Sequence, residues 1–100
     1  MVVEYVRYTI PEEQAAAFLS AYADAAGALD EAPECLSYEL TRGVEEPEHW
    51  ILRIEWTSKE DHEHGFRGGP VFGRFFAAIR PYFEQIDEMK HYERTAVASA

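Results

Sequence analysis

The stretch from Trp50 to Phe83, WILRIEWTSKEDHEHGFRGGPVFGRFFAAIRPYF, decides the fold. In its first seven residues Trp50, Leu52, Ile54 and Trp56 fall at every second position, the mark of a strand that buries one face. Thr57-Ser58-Lys59-Glu60-Asp61 follows, and either Thr57 with Glu60 or Ser58 with Asp61 fits the capping box that opens a helix. The helix is broken: a His-rich segment runs into Gly68-Gly69-Pro70, after which Phe72, Phe75, Phe76, Ile79 and Phe83 recur at helical spacing. A strand feeding a broken aromatic helix is the part of the chain best suited to build a pocket.

Working outward, Val2 to Ile10 reads as a strand with apolar and polar groups on both faces, so both are expected to be at least partly covered. Pro11 suits a first helical position, with Glu12 and Glu13 complementing the positive helix end. Phe18, Leu19, Tyr22, Ala25, Ala26 and Leu29 form one apolar stripe, and residues 30–33 end the helix. Cys35 to Arg42 is a second alternating strand, joined to the Trp50 strand by a hairpin loop at Gly43 to Glu48. Pro81 bends or ends the last helix near Arg80, and Ile86 to Val97 is the final strand candidate. The order strand, helix, strand, strand, helix, strand is the split βαβ arrangement of an α+β ferredoxin-like fold, an antiparallel sheet with both helices on one face. Two helices cover one side of such a sheet. The other side is expected to carry Val, Ile, Tyr and Trp side chains, and so to pack against a second copy as a homodimer, sheet against sheet, over about 2,000 Å² or more.

One hundred residues make one domain, residues 1–100, small enough for association to be a natural supplement to its core. A hydrophobic content of 47% with 14% aromatics excludes a disordered chain. The net charge of −10 argues against nucleic acid or an anionic membrane as partner, since both call for a basic patch. Met1 leads straight into a strand pattern without an apolar leader, no run reaches membrane-spanning length, and Cys35 is the single cysteine. The expected setting is therefore a reducing cytoplasm.

Among the polar residues, His62 and His64 are the most visible pair. Two apart on a helix, they point about 200° away from one another, so they cannot share a metal. His62 lies on the side of Phe66 and Gly69, and is the candidate pocket histidine; a core-edge histidine bonded to a carbonyl is the alternative. His64 lies with Glu60 on the outer side. Gly65, Gly68 and Gly69 lack the Lys and Ser/Thr spacing of a phosphate loop, and serve better to break the helix and leave room for a cavity. Tyr5, Arg7 and Tyr38 sit on strands whose register could aim them at that cavity, although Arg7 could equally pair with a strand carboxylate. No catalytic triad order, metal cluster or dinucleotide fingerprint is visible in the spacing, so no metal and no cofactor are expected.

With Ile10-Pro11-Glu12, Pro33-Glu34-Cys35-Leu36-Ser37-Tyr38-Glu39-Leu40, Ile54-Glu55-Trp56-Thr57-Ser58-Lys59-Glu60 and the closing Met89-Lys90-His91-Tyr92-Glu93, the chain resembles the antibiotic biosynthesis monooxygenase family, and in particular the subgroup found fused to truncated globins. The resemblance implies a dimeric α+β barrel, and a cofactor-independent monooxygenase-like protein acting on a small aromatic or quinol-type ligand. In that chemistry the deprotonated substrate itself gives the electron to oxygen, while the protein holds the ring and steadies the anion. His62 is then the candidate base, with Arg7 or Tyr38 steadying the oxyanion and Tyr5, Trp56, Phe66 and Phe75 contacting the ring. The haem-degrading branch places its Asn, Trp and His near Tyr5, Gly65 and Phe75 or Phe76 of this sequence, and none is kept. The other reading is a non-catalytic dimeric binding or partner module, serving a haem protein.

Overall fold

The computed structural model describes residues 1–99. Its strands are β1 (Val2–Thr9), β2 (Cys35–Arg42), β3 (His49–Trp56) and β4 (Ile86–Glu93), and its α-helices are α1 (Ala15–Glu31) and α2 (Phe72–Ile79). A short 3-10 turn, Glu12–Gln14, leads into α1, a π-helical segment, Asp61–Phe66, stands between β3 and α2, and a 3-10 turn, Arg80–Gln85, carries α2 into β4. The four strands form one antiparallel sheet in the order β2-β3-β1-β4, the ferredoxin-like arrangement. The β2–β3 hairpin and its loop fall where the alternation places them. The final strand is shorter than its 86–97 candidate range for a simple reason: Glu93 already pairs with Val2, the first residue of β1, and beyond it no partner strand remains.

One expectation is overturned. The sheet is open, not closed into a barrel: β2 bonds only to β3 and β4 only to β1, so both edges stay unpaired. A closed barrel with a filled interior needs about eight strands, and this chain supplies half that number.

The alternation of β1 and β3 sorts the two faces. Val6 and Tyr8 of β1, with Trp50, Leu52, Ile54 and Trp56 of β3, are buried beneath the helices against Phe18, Tyr22, Ala25, Leu29, Phe75 and Ile79. Both tryptophans therefore belong to the covered face. The helix-free face is more polar than expected: Arg53 pairs with Tyr5 in the sheet, Glu55 with Val3, and Arg7 with Glu88. Arg53 and Glu55, two residues apart and so on the same face, form an ion pair of 2.7 Å, and Ser37 donates to Glu55 at 3.0 Å. Val3 is the buried apolar residue of that side. No helix among the described residues is long and apolar enough to cross a membrane.

Candidate functional site

The break after β3 shapes the site. Ser58 accepts the Asp61 amide at 2.9 Å, the helix-opening contact of a capping box, while Thr57 rather than Ser58 takes the Asp61 carboxylate, at 2.5 Å. The chain then widens into the π segment, where the Arg67 amide reaches back five residues to the His62 carbonyl at 3.2 Å. Glycine closes the segment: a Cβ on Gly68 would stand 2.5 Å from the His64 carbonyl oxygen. Gly65 answers a different need from the one its sequence position indicates. Its Cβ would meet the Glu34 side chain at 3.1 Å, so it lets the segment lie against the α1–β2 turn instead of emptying the cavity.

Between this broken helix and the sheet lies a cavity of about 280 Å³. Its walls are apolar and largely aromatic, including Trp56, Phe66, Phe72, Phe75, Phe76 and Phe83. All five phenylalanines of the 66–83 stretch reach it. At one end the walls turn polar. Glu4 and His62, 3% and 4% exposed, lie side by side there, with the exposed Arg67 on the rim. His62 stacks on Trp56 at 4.3 Å between ring centres and 11° between planes. The Trp56 indole donates to Glu4 Oε1 at 3.0 Å, and His62 Nε2 faces the same oxygen at 3.7 Å. On its other side His62 Nδ1 lies 2.7 Å from Nε2 of His91, a half-buried residue of β4.

Burial governs the protonation of this end. It holds His62 down to about 3, with help from the Arg67 and His91 charges, so the ring is neutral across the physiological range. Burial also raises the Glu4 carboxyl above its ordinary value, against the opposing Trp56 hydrogen bond and the Arg67 charge. The His62–Glu4 contact is thus a neutral ring beside a desolvated carboxyl, not an ion pair. At the other end of the same face, the Tyr8 and Tyr22 hydroxyls bond to one another. Burial pushes Tyr8 up to about 12 and Tyr22 further still, so both stay phenols.

Of the residues singled out in the sequence, His62, Trp56, Phe66 and Phe75 come together in the cavity walls. Tyr5, Arg7 and Tyr38 do not. Tyr5 and Arg7 alternate with Glu4, Val6 and Tyr8 along β1, which turns them to the opposite face, where the Arg7 guanidinium lies 5.9 Å from the Tyr5 ring centre. Tyr38 packs at the core margin, and its hydroxyl donates to Asp30 of α1 at 2.7 Å. The register expected for Tyr5 and Arg7 is therefore corrected, whereas Tyr38 keeps the covered face, opposite Ile54, but lies outside the cavity; Arg67 is the cation the cavity has at its rim. Glu4, His91 and Arg67 are not apparent in the sequence reading. A carboxylate at Glu4, in phase with Val6, Tyr8 and Ile10, is a signal that alternation alone could have given. His91 has no such signal, because only the antiparallel β1–β4 register sets it opposite Glu4.

The absence of a metal cluster, read from spacing, also needs correction. Glu4, His62 and His91 can each offer one ligand atom, all within 4.8 Å of one another. His62, however, turns a different ring nitrogen to each neighbour, a row rather than a convergence on one point.

The fold and its cavity define an α+β protein of ferredoxin-like architecture with an aromatic pocket that ends in acid–base groups. The chain belongs to the antibiotic biosynthesis monooxygenase family, which its residues 1–78 match. It is similar to the uncharacterised protein YczJ of Bacillus subtilis, 26% identical over 93 residues that span 93% of this chain and 98% of that protein. Among solved structures it shares its fold with a conserved protein from Methanosarcina mazei (TM-score 0.77, 15% identity, covering 94% of this chain and 92% of that one). It shares it equally with Rv0793 from Mycobacterium tuberculosis (TM-score 0.75, 15% identity, 98% of each chain).

Proposed function

We propose that the protein binds a small, flat aromatic ligand of the quinol or phenol type in the cavity and promotes its oxygenation without a bound cofactor. The observation that carries the reading is the cavity itself: about 280 Å³, walled by aromatic rings and ending at buried Glu4 and His62. The ring would lie among Trp56, Phe66 and Phe75. Its hydroxyl would meet the polar end, where His62 takes part in removing the proton and Arg67 steadies the resulting anion. The ligand anion then gives an electron to dioxygen, and the aromatic walls limit competing reactions with water. Tyr5, Arg7 and Tyr38, proposed for the site from the sequence, have no part in this version.

The test pairs binding with turnover. 1,4-Naphthoquinol added under argon is expected to raise the melting temperature through preferential binding to the folded state. Admitting oxygen is expected to produce consumption above the uncatalysed rate, lost in Phe75→Glu. Stabilisation without oxygen consumption would favour the non-catalytic binding module. Neither effect with any flat aromatic would remove the ligand reading altogether.

Two copies are proposed to associate through the helix-free sheet face, which the two helices leave uncovered. Tyr5 and Tyr92 meet edge to face there, 5.3 Å between ring centres, amid the Arg53–Glu55 pair. Such a surface favours a polar, salt-sensitive contact over a dry one. A monomer by light scattering at micromolar concentration and low salt would refute it.

A further inference from the structure

A proton released at the buried Glu4–His62 end of an apolar cavity needs a way out. Three side chains from three elements, Glu4 of β1, His62 of the π segment and His91 of β4, supply a row of exchangeable sites. The row starts at a carboxyl 3% exposed and ends at a half-buried imidazole on an unpaired sheet edge. His62 joins the two by different ring nitrogens, Nε2 at 3.7 Å from Glu4 Oε1 and Nδ1 at 2.7 Å from His91 Nε2. An imidazole so placed can take a proton at one nitrogen while releasing another from the second. Its stack on Trp56 fixes the ring in that orientation, and the Trp56 indole fixes the carboxyl.

We propose that Glu4, His62 and His91 form a proton relay that connects the closed end of the cavity to solvent at the β4 edge. The relay deepens the ligand reading above and rests on it for its purpose. The ligand O–H gives its proton to the Glu4 carboxylate and is left as an anion. Neutral Glu4, its side chain shifting to close the 3.7 Å gap, then donates to Nε2 of His62 as the Nδ1 proton of His62 passes to Nε2 of His91. His91, now an imidazolium, sheds its Nδ1 proton to water. One proton has moved from ligand to solvent, and both His62 and His91 have changed tautomer. Proton uptake by the oxygenated product runs the same transfers backward and restores both. Burial at the exit suits that direction. It holds His91 below its ordinary value against the opposing Glu63 charge, with Lys59 and Arg67 acting in the same sense as burial. Glu4 meets Trp56 from β3 and Arg67 from beyond the π segment, and His62 meets Arg67 and His91.

The experiment needs no ligand to begin. Exchange of the His62 ring proton with water, followed by ¹⁵N-resolved NMR at neutral pH, is expected to slow by about tenfold or more in His91→Phe. In His91→Ala, free imidazole in the buffer is expected to restore the exchange, which a merely structural role for His91 would not allow. His91→Gln serves if either variant fails to fold. Wild-type exchange rates in these variants, or no rescue by imidazole, would overturn the relay. With 4-nitrophenol as the probe, stopped-flow ionisation of the bound phenol after a pH jump is expected to slow in His91→Phe at unchanged affinity. Failure of 4-nitrophenol and naphthoquinol to bind would defeat the ligand reading, while the exchange rates still decide the relay. Equimolar, tight Zn²⁺ binding by the wild type that disappears in His91→Phe would replace the relay with a metal centre.

Discussion

The buried face of β1 carries polarity at both ends, and the two ends handle it differently. At Tyr8 a hydroxyl meets the Tyr22 hydroxyl from α1, one donating and the other accepting. Burial pushes both far above neutrality, so this end keeps one protonation state at every physiological pH. At Glu4, four residues away, a carboxyl has a single indole donor, a neutral imidazole at 3.7 Å, and a chain of contacts leading to the sheet edge. The first arrangement fixes a helix on a strand. The second leaves protons free to be placed, and it does so where the cavity ends. Equal burial therefore does not mean equal purpose. What separates the two is whether the buried group titrates and whether its partners lead outward.

The strongest way to break the contrast is Trp56→Ala. Trp56 is 1% exposed, packs on Phe66 at 4.8 Å, stacks under His62 and donates to Glu4. Its removal leaves a cavity and strips the buried carboxyl of its donor, for an expected loss of about 4 kcal/mol in urea unfolding. A loss below about 1 kcal/mol would mean that the polar end is not held in place by this ring.

The next test reads the titrating end through its pH dependence. Folded His62 resists protonation from its ordinary 6.5 down to about 3, whereas the unfolded chain takes up that proton. Its contribution to stability is therefore complete above 6.5 and is lost as pH falls towards 3, at up to about 1.4 kcal/mol per pH unit. Glu4 acts in the opposite sense: raised in the fold, it weakens the native state as pH climbs above its ordinary 4.5. The two oppose as pH climbs above 4.5, and below 4.5 only His62 of the pair still changes. His62→Gln is expected to flatten the acid limb of the stability curve, and Glu4→Gln to steepen the segment above 4.5. An unchanged acid limb in His62→Gln would show that the ring is solvated.

The sequence made the frame legible and the site only half so. Period-two spacing at Trp50, Leu52, Ile54 and Trp56, the capping residues, and the break at Gly68-Gly69-Pro70 are local signals, and local physics answers them. His62 was legible because Phe66 shares its phase. Glu4 and His91 lie 87 positions apart in the chain and meet only through the β1–β4 register, which no local pattern encodes. The same limit explains Arg7 and Tyr5. Their residue types look functional, but the pleat turns them away once Val6 and Tyr8 are committed to the core. The open sheet follows from strand count and order, a global property on which a family likeness is a poor guide for one chain.

At the Tyr8 end the expected effect is smaller and more specific. Tyr8→Phe or Tyr22→Phe leaves the remaining hydroxyl buried without its partner, at a cost of about 2 kcal/mol. The double variant removes both groups, and its loss is expected to fall short of the sum of the two singles by about 1 kcal/mol or more. Strict additivity in this cycle would show that the hydroxyls do not depend on one another. Neither single variant should alter the pH profile near 6.5, since both phenols remain neutral there.

The smallest effect is expected on the far side of the same strands, which makes it the control for the other three. Arg53 and Glu55 form a 2.7 Å pair, with side chains 32% and 18% exposed, on the helix-free face. The Arg53 bond is the main cause of the lowered Glu55 carboxyl, with the Ser37 hydrogen bond second. Water and salt screen such a pair, so Arg53→Ala is expected to cost about 0.5 kcal/mol or less, shrinking further in molar salt. Because the Glu55 carboxyl is depressed, what the pair contributes is present above the ordinary 4.5 and is lost as pH falls below it. A two-state urea titration at low and high salt reads both effects at once. A cost above about 2 kcal/mol that persists in high salt, together with a concentration dependence of the midpoint, would show the pair buried in an interface. The control would then become direct support for association through this face.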